Sequence, residues 1–135
     1  MFSPGPSCAP IQAYCPVSTN TLNVATECVE GATGSVCTLT CAVGYQPNAP
    51  RCVASATSTN DPGSGTWSPA PACTPVSQYC PAIPAGSTAQ ALTECAVAKS
   101  VGETCGERTC AIGYVPNTPV CTAGASSTPG AGVWL

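Results

Sequence analysis

The sequence predicts a small, disulfide-rich, all-β protein made of tandem elongated modules with short antiparallel strands. Three observations carry that prediction. Eleven of its twelve cysteines recur in one spacing pattern, first as Cys15, Cys28, Cys37, Cys41, Cys52 and Cys73, then as Cys80, Cys95, Cys105, Cys110 and Cys121, with Cys8 standing before them. Histidine is absent and no short C-x-x-C hook occurs, so the cysteines read as disulfides and not as a zinc site. Short alternating runs separated by proline- and glycine-containing breaks replace any pattern of helical period. The repeat sets the unit to be explained.

Composition bounds the class of protein. Each repeat is about 65 residues, a size at which one apolar core is marginal. Leu, Ile and Phe are scarce, and the cysteines stand in for the missing core. Each bridge is expected to add roughly 3 kcal/mol, mainly by restricting the unfolded chain. Disulfides persist in oxidising compartments, so the expected location is secreted, extracellular or on a cell surface. Three basic residues (Arg51, Lys99, Arg108) against six acidic ones leave a net charge of −3, which argues against nucleic acid or anionic membrane as partner. No apolar run approaches the ~20 residues that span a bilayer. Met1-Phe2-Ser3-Pro4 has neither the basic start nor the apolar stretch of a signal peptide, and the sequence reads as an excerpt of something longer.

Taken in order, residues 1–8 read as the C-terminal tail of a preceding module, because the run Phe2 to Cys8 resembles the run Trp67 to Cys73. Residues 9–14 are a linker, 15–73 a complete module, 74–79 a second linker, and 80–135 a second module without its last cysteine. The copies are offset by 65 residues at Cys15/Cys80 and by 69 at Cys52/Cys121. Both linkers carry proline second and tyrosine last, so Tyr14 and Tyr79 are expected to pack on the module that follows. Such short proline-containing linkers are stiff and imply a repeated angle, hence a rod or shallow superhelix.

Within the first module Val36 to Cys41 alternates, placing Cys37, Leu39 and Cys41 on one face of a strand. Cys105 and Cys110 are five apart, one more than Cys37 and Cys41, and a β-bulge near Gly106 would restore the register. Pro47-Asn48, Pro116-Asn117, Asn60 to Gly63 and Pro129-Gly130 read as turns. Ala54 to Gly65, small and polar, reads as an exposed loop.

Beyond the cysteine count, the runs Cys41-Ala42-Val43-Gly44-Tyr45 and Cys110-Ala111-Ile112-Gly113-Tyr114 share one motif. Cys52 and Cys121 follow each at about ten residues, and Trp67 then Pro71-Ala72-Cys73 closes the first module. Together these resemble the sushi module, also called the complement control protein or short consensus repeat. The additional pairs Cys28/Cys37 and Cys95/Cys105 resemble the six-cysteine variety found in selectins. The resemblance implies the pairs Cys15–Cys52, Cys41–Cys73, Cys28–Cys37, Cys80–Cys121 and Cys95–Cys105. It leaves Cys8 and Cys110 for inter-module or intermolecular bonds, and it makes Trp67, Trp134, Tyr45 and Tyr114 framework residues of the core. No ligand site carries over.

Catalytic and metal sites are not expected. No histidine is present to act as a base, and no Ser/His/Asp set or nucleotide loop is visible. Glu27, Glu30, Glu94, Glu103 and Glu107 lack the alternating oxygen-ligand spacing of a calcium loop. No cofactor is implied, and no enzyme activity. There is no N-x-S/T sequon, whereas frequent Ser-Pro, Ala-Pro and Thr-Pro dipeptides mark candidates for O-linked glycans on Ser, Thr or Pro. Two functional readings follow. The first is a structural extracellular repeat protein forming a filament or surface array head to tail, with copies of itself or adjacent modules as partners. The alternative is an adhesion or receptor ectodomain for a protein or glycan, which an exposed cluster of Tyr14, Tyr79, Arg51 or Arg108 would favour.

Overall fold

The computed structural model describes residues 5–55 and 57–135; the opening of the expected 1–8 tail, residues 1–4, and Ala56 of the polar loop lie outside the described residues. Among the described residues there is no helix, and the strands are two or three residues long. In order they are β1 (Val24–Thr26), β2 (Thr40–Cys41), β3 (Tyr45–Pro47), β4 (Arg51–Val53), β5 (Thr66–Ser68), β6 (Cys73–Pro75), β7 (Ala91–Thr93), β8 (Thr109–Cys110), β9 (Cys121–Thr122) and β10 (Val133–Trp134). They form five two-stranded sheets: β1–β2, β3–β6, β4–β5, β7–β8 and β9–β10. The protein is a small all-β, disulfide-rich fold. Two-stranded ribbons of this length are not stable alone in water. Covalent closure makes up the deficit.

Five bridges do so: Cys15–Cys52, Cys28–Cys37, Cys41–Cys73, Cys80–Cys121 and Cys95–Cys105. Three close loops of 32 to 41 residues and two close loops of 9 or 10.

The chain divides into two compact units, Met1–Cys41 with Pro47–Cys73, and Ala42–Gln46 with Thr74–Leu135. The division differs from a simple cut at residues 73/74, because the loop 42–46 belongs with the second unit. The core of the first unit consists of Tyr14, Cys15, Cys28, Cys37, Leu39, Cys52 and Trp67. Four of these seven are half-cystines, so two of the disulfides lie within the core beside its three larger side chains. Trp67 lies opposite Cys52 in the β4–β5 pair and donates its indole N–H to the Pro16 carbonyl at 2.8 Å. A large apolar body with one satisfied polar atom suits a core this small. Tyr14 is buried and its hydroxyl donates to the Thr59 carbonyl at 2.6 Å, which ties down the polar loop.

The second unit repeats this plan around Val76, Tyr79, Cys80 and Cys121, with Val101, Ala131 and Trp134 packed against them. Trp134 faces Cys121 across β9–β10 and donates to the Pro81 carbonyl at 2.8 Å. The Tyr79 hydroxyl donates to the Ser126 carbonyl. Each linker tyrosine therefore belongs to the core of the unit that follows it in sequence.

Two local expectations need correction. The side chains of Cys37 and Leu39 are buried and those of Val36, Thr38 and Thr40 exposed, as alternation requires, but only Thr40–Cys41 pairs as a strand. The extra residue between Cys105 and Cys110 makes no bulge at Gly106. Residues 105–108 belong to no strand, and β7–β8 has the same register as β1–β2: Ala91 faces Cys110 and Thr93 faces Thr109, just as Val24 faces Cys41 and Thr26 faces Thr40. The irregularity lies on β1 and β7 in both copies, so a segment outside the strands absorbs the insertion without disturbing the ladder.

The dipeptides Pro47-Asn48 and Pro116-Asn117 are not turns either. The chain reverses earlier, at Val43-Gly44 and Ile112-Gly113, where the glycines adopt φ of +97° and +95°. Asn48 instead bridges two stretches of chain, donating to the Ala70 carbonyl and accepting from the Ala72 N–H. Asn117 accepts from Arg108. The turns at Asn60–Gly63 and Pro129-Gly130 are present.

Candidate association edge and its free cysteines

Cys8 and Cys110 carry no bond; Cys8 is exposed and Cys110 half-buried. Position along the repeat gives both cysteines a counterpart. Cys110 occupies the step of Cys41, at the same place in the same strand pair, and Cys8 occupies the step of Cys73. Cys41 and Cys73 are bonded to each other.

The residues after each half-site differ in the same way. In the second unit, Gly44 is buried, its carbonyl accepts from the Val76 N–H at 2.9 Å, and its N–H donates to Ser127 Oγ at 3.1 Å. A Cβ placed on Gly44 would come 3.3 Å from Val101 and 3.4 Å from Tyr79. Gly113 has the same backbone conformation, but a Cβ there would meet nothing within 4 Å. Val43 is 42% exposed, whereas its counterpart Ile112 is fully exposed. Val115, three residues on, also stands out to solvent, as does Leu135, which exchanges two backbone hydrogen bonds with Val120. Tyr45 is half-buried. Tyr114, expected in the core, is 55% exposed, and the rest of residues 112–116 are exposed as well. Residues 110–116 thus present an apolar edge around an unpaired thiol.

The complementary half lies at the other linker. Val76 is 3% exposed and lies in the second core, while Ile11, at the same step of the repeat, packs against the first core but keeps part of its surface open. Asn60, at the step of Ser127, is exposed.

The remaining candidates do not converge on a reactive centre. Cys95, Cys105 and Glu107 bring three donor atoms within 4.8 Å, but the two sulfurs are bonded to each other and are not thiolates. Arg51 is exposed and donates to the Gly34 carbonyl. Lys99 and Glu107 form a surface ion pair at 3.2 Å. The carboxyl of Glu107 is held below its ordinary range by its own backbone N–H and then by Lys99. Glu27 is likewise held low, by hydrogen bonds from the side chain and backbone of Thr21 and from Ser18. A groove of about 460 Å³ in the first unit runs beside Trp67 along Pro16 to Thr21, and its lining contains no charged side chain.

Sequence reasoning did not find the ion pair of Arg108 Nε with Glu94 Oε1, 3.2 Å long, with side chains 11% and 3% exposed. Glu94 Oε2 has no partner among the described residues. A signal was available: Arg108 stands one residue before the Thr-Cys pair of the repeat, the step that Leu39 fills in the first copy. No helix of the described residues is long and apolar enough to cross a membrane. No family model matches the chain, and searches of curated proteins and of solved structures find no match to it.

Proposed function

We propose that this chain is an extracellular structural repeat protein of sushi-like modules that associates head to tail into a filament or surface array. The observation that carries the reading is the pair of free thiols, Cys8 and Cys110, at the two steps of the repeat where Cys73 and Cys41 are bonded to each other. One chain holds both halves of a bond that it does not close internally. Contacts between unlike halves propagate into an open polymer when the rotation does not close a ring. Five disulfides accord with an oxidising, extracellular setting. The low charge removes the repulsion that would oppose close stacking of copies. Any O-linked glycans would decorate the exposed Ser, Thr and Pro positions of the loops. Electron micrographs and light scattering of native material test the reading: filaments or a size ladder are expected, and a strictly monomeric protein at all concentrations would overturn it.

The alternative, an adhesion or receptor ectodomain, draws support from the groove beside Trp67, whose hydroxyl- and proline-rich lining suits a polar, uncharged ligand. Against it, Tyr14 and Tyr79 are buried and unavailable as contact residues, and Arg108 is engaged with Glu94. A glycan or protein ligand that protects Ser18 to Thr21 from hydrogen exchange would favour this second reading.

A further inference from the structure

We infer that residues 110–116 of one copy form the docking site for residues 8–14 of a second copy, sealed by a Cys110–Cys8 disulfide. The inference rests on the assembly reading above and specifies its interface. Two unfilled halves support it independently of the sulfurs. Gly113 has a left-handed turn with nothing within 4 Å of where a Cβ would stand, and a fully exposed Ile112 beside it. Ile11 is an apolar residue whose counterpart, Val76, is almost wholly buried.

The hydrogen bonds of Gly44 supply the pattern. Its carbonyl takes the N–H of Val76, so the Gly113 carbonyl is matched to the N–H of Ile11 of the second copy. Its N–H goes to Ser127 Oγ, so the Gly113 N–H is matched to the exposed side-chain oxygen of Asn60, at the corresponding step. Val101 and Tyr79 close over Gly44, and the residues at their steps, Thr33 and Tyr14, would close over Gly113. Ala9-Pro10 would run beside Tyr114–Pro116 as Thr74-Pro75 runs beside Tyr45–Pro47. This is edge-strand addition, with the proline in a position that needs no donor.

Closing the bond oxidises two thiols and requires an electron acceptor, here a low-molecular-weight disulfide. The Cys8 thiolate attacks that disulfide and releases one thiol. The Cys110 thiolate then attacks the mixed disulfide and releases the second. Two protein thiols become one disulfide, one small disulfide becomes two thiols, and the protons pass with them.

The test uses the full chain and two variants, Cys8→Ser and Cys110→Ser, neither of which removes an existing bond. With oxidised glutathione the unaltered chain is expected to give a covalent ladder on non-reducing gels, and each variant alone a monomer. An equimolar mixture of the variants is expected to stop at a dimer, because only one productive end remains on each. Peptide mapping of that dimer should yield the Cys8–Cys110 link, and amide exchange at Gly113 and Ile11 should slow at least about tenfold. Homodimers linked Cys8–Cys8 or Cys110–Cys110, glutathionylated monomers only, or a dimer with Gly113 and Ile11 still unprotected would overturn the interface. Filaments of the unaltered chain in which those two amides exchange freely would overturn this interface while leaving the assembly reading standing. Absence of any filament or ladder would overturn both.

Discussion

Leu39 and Arg108 occupy the same step of the repeat and fill it with different chemistry. Leu39 is 4% exposed and simply packs. Arg108 cannot, and its guanidinium meets Glu94, whose counterpart Glu27 has other donors in Ser18 and Thr21. Ile83 replaces Ser18 in the second copy, so Glu94 has Arg108 in place of a hydroxyl. Removing one member of a buried pair leaves the other charged and unpaired, whereas replacing both can be neutral. Arg108→Leu is therefore expected to lower the unfolding free energy by about 3 kcal/mol in oxidised protein, and adding Glu94→Met to restore most of it. Guanidinium denaturation of the single and double variants reads both values. The first copy makes a pH prediction instead. Glu27 has a folded-state pKa below its unfolded value, so its stabilisation is fully present above the unfolded value. That stabilisation is lost as pH falls through the depressed folded value. Glu27→Gln should be less stable than the parent near neutrality, with the gap narrowing on acidification below the ordinary glutamate range of about 4.3. A gap independent of pH would contradict the assigned hydrogen bonds.

At the scale of elements, Gly65 and Gly132 are two of the glycines that other atoms approach too closely for a side chain. A Cβ on Gly65 would lie 2.9 Å from Cys15 Sγ and against the Tyr14 ring. On Gly132 it would lie 2.6 Å from both Cys80 Sγ and Tyr79 Cδ2. In each unit the strand leading to the tryptophan passes directly over the linker tyrosine and the first half-cystine, and only a bare backbone fits. Gly65→Ala and Gly132→Ala should each lower stability by about 1–3 kcal/mol through overpacking. Gly106→Ala is the control. It lies outside the strands with nothing within 4 Å of where a Cβ would stand and no positive φ, so it should be neutral or raise stability by up to about 1 kcal/mol. Calorimetry of the three variants decides the matter, and a destabilised Gly106→Ala would mean that residues 105–108 are packed more tightly than they are here.

For the whole molecule, stability follows from which bridges close long loops. Chain entropy makes a bridge worth more as its loop lengthens. Cys15–Cys52 spans 37 residues and Cys28–Cys37 spans 9. Replacing both cysteines of the first pair by alanine should cost about 4 kcal/mol, and of the second about 2.5 kcal/mol, on loop entropy alone. The first loss should be larger still, since that bridge lies at the centre of a core in which four of seven residues are half-cystines. Equilibrium unfolding of the two variants checks the order. The same dependence on covalent closure gives the two free thiols their weight. Where every other cysteine is a structural tie, Cys8 and Cys110 are the positions at which further ties can be made.

The class of fold was legible in the residues because composition leaves few alternatives. A chain without histidine, poor in Leu, Ile and Phe and repeating its cysteines can bury itself only through disulfides and short strands. The buried alternation of Cys37 and Leu39 and the matched steps of Trp67 and Trp134 are local patterns of the same kind. The tertiary structure alone decided which copy of a motif is covered. Cys41 to Tyr45 and Cys110 to Tyr114 are nearly the same words, yet Gly44 is enclosed and Gly113 is open, and Tyr114 lies outside any core. It also decided that Arg108 would meet Glu94, that the inserted residue would leave the ladder undisturbed, and that Asn48 and Asn117 would bind chain rather than turn it. Sequence records what each residue can bury or bond; exposure depends on what the rest of the chain brings against it.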